Sequence, residues 1–134
     1  MTLRSILFVD DDEDIRAIAH LSLTAVGGWE VTLAACGPEA FEQALRHTPD
    51  LIILDVMMPG MDGFATLELL RSDQRTAAIP VMFLTAKVQR AEVERYNAAG
   101  APVIAKPFDP MKLPDEIRQR MTPKPSLPAG RAAR

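Results

Sequence analysis

The sequence predicts an α/β domain built on a parallel sheet with helices on both faces, and three observations predict it. Short aliphatic runs recur along the chain: ILFV (6–9), LIIL (51–54) and VMFL (81–84). Between them lie stretches with helical spacing, which is the pattern of repeated βαβ units. The runs are apolar throughout rather than alternating, as strands buried on both faces must be.

Taken in order, strand one covers 6–9 and a helix near 12–26 follows, closed by Gly27-Gly28 because glycine reaches the left-handed C-terminal position cheaply. EVTLAA (30–35) alternates and reads as a half-exposed edge strand. Gly37-Pro38 opens a helix over 38–47 that carries Ala40, Phe41, Ala44 and Leu45 on one face. The strand at 51–54 precedes a helix near 63–73, and the strand at 81–84 precedes one near 88–99, ended by Gly100. VIA (103–105) is the fifth strand, followed by a helix near 110–121 with Leu113, Ile117 and Met121 at steps of four. Asp109-Pro110 suits an N-cap and first helical position, while Pro114 suits a later start equally well. Helix 88–99 has only a thin apolar stripe, formed by Ala91, Val93, Tyr96, Ala98 and Ala99, and is expected to be the most mobile.

A chain of 134 residues with 48% hydrophobic and 25% charged residues has the size and composition of one ordinary globular domain. No apolar stretch approaches the roughly 20 residues of a membrane span, and the N-terminus lacks a secretory signal pattern, so a cytoplasmic protein is expected. One cysteine cannot form an intrachain disulfide, and Cys36 is expected to be a small buried hydrophobe. The net charge of −3 is uneven: the last thirteen residues hold Lys124, Arg131 and Arg134 and no acid, which leaves 12 basic against 18 acidic residues in the body. An acidic body argues against a DNA-binding face. The proline-rich stretch 122–134 is expected to be a disordered tail.

Right-handed crossovers bring the strands' carboxyl ends to one edge, where ligands of such sheets bind. That edge receives Asp10, Asp11, Asp12, Glu13 and Asp14 after strand one, Asp55 after strand three, Thr85 after strand four and Lys106 after strand five. Asp12, Glu13 and Asp14 read as caps for the following helix. A lone threonine or lysine would mean little. Carboxylates converging on one rim instead repel unless they share a cation, and a hard divalent ion, Mg²⁺ or Mn²⁺, fits them. A carboxylate flanked by a metal, an ammonium and a hydroxyl makes a phosphoryl site.

ILFVDDDEDIR, LIILDVMMPGMDG, MFLTA and AKPF, in this order, resemble the receiver domain of two-component response regulators of the chemotaxis-regulator kind, over roughly residues 4–121. The resemblance implies a flavodoxin-like (βα)5 fold with strand order 2-1-3-4-5, a receiver domain at 1–121 and the tail at 122–134. It makes Asp55 the phosphoacceptor and assigns the metal to Asp10, Asp11, Asp55 and the backbone carbonyl of Met57. Thr85 and Lys106 would contact the phosphoryl group, the Lys106-Pro107 bond would be cis, and Thr85, Ala86, Val103 and Pro107 would form the switch region. Met57 and Lys87 stand where the family tunes phosphoryl lifetime, and the Met57 and Met58 side chains are expected to pack the loop. Two departures stand out. Four residues separate Gly100-Ala101 from Lys106, one fewer than usual, and Val103 occupies the place of an aromatic switch residue.

By the same resemblance, the phosphodonor is a sensor histidine kinase or a histidine phosphotransfer protein. A downstream protein would be met through the face of helix four, strand five and helix five. The only catalysis implied is Mg²⁺-dependent phosphorylation and dephosphorylation of the protein itself. The chain ends thirteen residues after the last predicted helix, so a receiver without an output domain is expected, with neither DNA nor membrane binding. Two other readings are a scaffold that is never phosphorylated and a Mg²⁺-dependent phosphatase with an aspartyl nucleophile. The scaffold predicts a missing acceptor, acid or lysine, and the known phosphatases place the nucleophile after the first strand.

Overall fold

The computed structural model describes residues 3–86 and 90–121; Lys87 and the tail at 122–134 lie outside the described residues. Five parallel strands, β1 (Ser5–Val9), β2 (Glu30–Ala34), β3 (Leu51–Asp55), β4 (Val81–Thr85) and β5 (Val103–Ala105), form one sheet in the order β2-β1-β3-β4-β5. Between and after them run α1 (Glu13–Leu21), α2 (Gly37–His47), α3 (Gly63–Arg71), α4 (Arg90–Ala98) and α5 (Leu113–Met121). The expected fold class, strand order and edge position of β2 are all present.

Alternation of side chains across the sheet divides the core in two. Leu7, Val9, Ile52, Leu54, Val81 and Phe83 pack with Ala40 and Ala44 of α2, Leu67 and Leu70 of α3, and Tyr96 of α4. On the other face Ile6, Phe8, Leu51, Ile53, Met82 and Leu84 pack with Ala19 of α1 and with Leu113 and Ile117 of α5. The central strands β3 and β4 are buried at every position, which is why their sequences do not alternate.

Four expectations are corrected. The first helix does not run regularly to Val26: its last turn, Ser22–Val26, widens into a π-helical segment in which the Gly27 N–H reaches the Ser22 carbonyl. The last helix takes the later start, because Asp109 instead holds a turn, its side chain accepting from the Met111 N–H and its carbonyl from the Leu113 N–H. Cys36 is exposed, since β2 ends at Ala34 and Cys36 takes the extended N-cap position of α2, turned away from the core. On α4, Ala91 and Ala98 are exposed and Tyr96 is the buried residue. The stripe is narrower than the spacing of its alanines predicts, because one large ring fills the space beneath the helix.

Candidate functional site

The site forms where β1, β3, β4 and β5 end. Asp10 follows β1, and its N–H donates to the Ala34 carbonyl of β2, so the chain leaves the sheet with the carboxyl turned in and fully buried. Its Oδ1 accepts the Asp12 N–H at 2.9 Å, and Arg16 Nη1 donates to its carbonyl at 2.7 Å. Asp12 caps α1 by accepting from the Asp14 and Ile15 N–H groups, as expected. Asp10 and Asp11 are thus left over from helix capping.

Asp55 is the last residue of β3 and 2% exposed. The following Val56 is tied to β4 and to α3 at once: its N–H donates to the Leu84 carbonyl and its carbonyl accepts the Gly63 N–H. Gly63 is required there, since a Cβ would stand 2.7 Å from the Asp55 carbonyl oxygen and 2.8 Å from Val56 Cα. Beyond it Gly60 takes a φ of +78°, a turn conformation that glycine reaches without strain. The two methionines of this loop separate: Met58 is buried and packs as expected, whereas the Met57 side chain is exposed, and its N–H lies 3.4 Å from Asp55 Oδ1.

Lys106 arrives from the end of β5, its N–H donating to the Thr85 carbonyl and its peptide bond to Pro107 cis, as the resemblance implies. Its ammonium lies 2.8 Å from Asp10 Oδ2 and 3.2 Å from Asp55 Oδ1, so one cation bridges the ends of β1 and β3. The contact to Asp10 is an ion pair, and Asp10 Oδ2 has no further hydrogen-bond partner among the described residues. Burial works against the charge of Lys106, but the two carboxylates outweigh it and hold its proton more tightly than usual.

Asp10, Asp11 and Asp55 each bring one carboxylate oxygen within 4.8 Å of the others. Three carboxylates against one ammonium leave an excess of negative charge. Burial, then the neighbouring Asp10, push the Asp55 carboxyl up to about 6, with Lys106 and the Met57 N–H pulling the other way. An all-oxygen donor set with surplus negative charge, one member of it exposed, suits a hard divalent cation that keeps part of its water. These residues fit Mg²⁺.

Of the other expected residues, Thr85 ends β4 and is fully buried, Ala86 is exposed beside it, and Val103 is half-buried opposite Phe83. Pro107 lines a groove with Ile15, Ile18, Ala86, Phe108 and Pro110, next to Lys106. The sequence reading missed what Tyr96 does beyond filling the core. Its hydroxyl lies 3.4 Å from Thr85 Oγ1. The signal was a lone tyrosine, polar at its tip, on the sparsest helix stripe.

A profile of the response regulator receiver domain matches residues 6–118. Response regulator Rre1 of Synechocystis is 37% identical over 115 residues, covering 85% of this chain and 50% of its own length. Response regulator PleD of Caulobacter vibrioides is 40% identical over 114 residues, covering 84% of this chain and 25% of its own. The chain thus spans half or less of these curated relatives. Among solved structures, the Vibrio cholerae chemotaxis protein CheY4 superposes with a TM-score of 0.80 at 32% identity, over 88% of this chain and 98% of that one. A profile match across most of the chain, agreeing with the sheet order and the edge on which the acids gather, makes this chain a member of the response regulator receiver domain family.

Proposed function

We propose that this receiver domain takes a phosphoryl group onto Asp55 in a Mg²⁺-dependent reaction and signals by the resulting change of state, to a protein partner or along a relay. The observation that carries the reading is the grouping of Asp55, Asp10, Asp11 and Lys106 at one sheet edge, with both buried acids against one ammonium. An oxygen of Asp55 attacks the phosphorus, the oxygen–phosphorus bond forms, and the donor's bond to phosphorus breaks, its leaving nitrogen or oxygen taking a proton from water where it needs one. Lys106 neutralises phosphoryl oxygens and holds Asp55 in line. Asp10, Asp11, Asp55 and the Met57 carbonyl are the groups that would hold Mg²⁺, which supplies charge neutralisation when bound. Thr85 donates its hydroxyl proton to a phosphoryl oxygen. Water later hydrolyses the acyl phosphate, so the domain's catalysis is confined to its own phosphorylation and dephosphorylation.

The phosphodonor we infer is a histidine kinase or histidine phosphotransfer protein. The apolar groove of Ile15, Ile18, Pro107 and Phe108 beside Lys106 suits a helix that presents a phosphohistidine. No helix among the described residues is long and apolar enough to cross a membrane.

Incubation with acetyl phosphate, with and without Mg²⁺, followed by intact-mass measurement, tests this. One phosphoryl adduct that needs both Mg²⁺ and Asp55, and is absent from Asp55→Asn, is expected. A protein that binds neither phosphoryl nor beryllofluoride in the presence of Mg²⁺ is a scaffold instead.

A further inference from the structure

Tyr96 is the chain's single tyrosine and is 2% exposed, its ring enclosed by Phe83 of β4 at 5.4 Å and Phe64 of α3 at 5.6 Å between centroids. Its hydroxyl ends 3.4 Å from Thr85 Oγ1, longer than the roughly 2.8 Å of a well-made hydroxyl bond. The two oxygens therefore stand one small movement from full engagement. Val103, half-buried on β5 opposite Phe83, packs against this same cluster and is a small side chain. Outward from the ring, Phe64 stacks on Tyr96 and carries the Arg95 guanidinium 3.8 Å above its own centre, while Arg71 Nη1 donates to the Ala99 carbonyl. A continuous line of contacts runs from the hydroxyl at the end of β4 to the surface between α3 and α4.

We propose that Tyr96 is a positioning residue for Thr85: its hydroxyl donates to Thr85 Oγ1 and orients that hydroxyl toward the phosphoryl group. A hydroxyl that accepts from Tyr96 keeps its own proton to give. When Thr85 donates to a phosphoryl oxygen its Oγ1 becomes a better acceptor, the Tyr96 bond shortens, and the ring moves with Phe64 and Arg95. The state of the site is thus passed to the α3–α4 face through an aromatic on α4, a route in which β5 contributes only a small neighbour.

This rests on the reading of Asp55 as phosphoacceptor, and the test separates the two. With one tyrosine, ring-¹³C labelling gives Tyr96 as the sole tyrosine signal, and backbone amides of Asp55 and Val56 report site occupancy independently. Adding Mg²⁺ and beryllofluoride should move the amides and the Tyr96 ring signal together in the wild type and in Thr85→Ser. In Thr85→Ala, at saturation judged by the amides, the ring should no longer respond. Tyr96→Phe, which keeps the packing, should keep its unfolding midpoint and bind beryllofluoride about three- to tenfold more weakly, the value of one neutral hydrogen bond. Amides that move while the ring signal stays put, or Tyr96→Phe binding as tightly as wild type, overturns the proposal and leaves the phosphoacceptor reading standing. Amides that never move overturn both.

Discussion

β3 and α4 serve the same end of the domain in opposite ways. β3 is hydrogen-bonded to a strand on each side and buried at all five positions, down to the carboxylate at its tip. α4 has Tyr96 as the one buried residue among its described side chains. The difference teaches where a signalling site keeps its fixed and its adjustable parts. Phosphoryl chemistry needs its nucleophile held within fractions of an ångström, which a doubly paired strand provides, whereas a response needs an element whose packing is cheap to change.

The largest effect expected from breaking this contrast is on the strand side. Ile53→Ala removes a fully buried side chain of β3 and should cost about 2–5 kcal/mol in urea unfolding. A cost below about 1 kcal/mol would mean that β3 is no better held than an ordinary surface segment.

A second prediction sharpens the contrast by pH. Asp55 releases its proton near 6 in the fold against 3.8 as the ordinary value. Below the lower value both states hold the proton and the group costs nothing. As pH rises between the two, the unfolded chain ionises first, so stability is lost until about pH 6 and is then level. Asp55→Asn removes the penalty: the metal-free variant should be more stable than metal-free wild type near neutral pH by at most about 3 kcal/mol, an advantage gone near pH 4. Chemical denaturation at the two pH values measures it, and equal stabilities throughout would show that the buried charge carries no cost.

Gly63→Ala tests how α3 is seated on β3. The added carbon would press on the Asp55 carbonyl and Val56 Cα, with nothing flexible to give way. A loss of about 1–3 kcal/mol is expected. Mg²⁺ titration should show weaker binding in parallel, because the strain falls on the peptide that carries the acid; unchanged Mg²⁺ affinity would uncouple the two. Smallest of all should be Ala98→Gln on the exposed side of α4, within about 0.5 kcal/mol by thermal unfolding. A larger loss would give α4 a second anchor.

Much of this was legible in the residues. Leu51–Leu54 read as a strand buried on both faces, and with the other aliphatic runs came the parallel sheet and the edge where Asp10, Asp11, Asp55, Thr85 and Lys106 gather. Gly27-Gly28, Gly37-Pro38 and Gly100 marked element ends because each acts on its own few residues. Cys36 was misjudged, and the start of α5 was left open between Pro110 and Pro114, for a shared reason: an apolar or proline residue at an element's boundary turns in or out according to what packs across from it.

The sequence by itself determined which segments are strands and helices, and which side chains stand at the strands' carboxyl ends, because periodicity, turn chemistry and the handedness of crossovers are local or general properties of the chain. Only the tertiary structure decided that Lys106 bridges Asp10 and Asp55, that Gly63 must be bare to seat α3, and that the hydroxyl of a tyrosine from α4 comes within 3.4 Å of Thr85 Oγ1. Those are contacts between elements distant in sequence. Their distances follow from how the core fills space, which no single stretch of residues encodes.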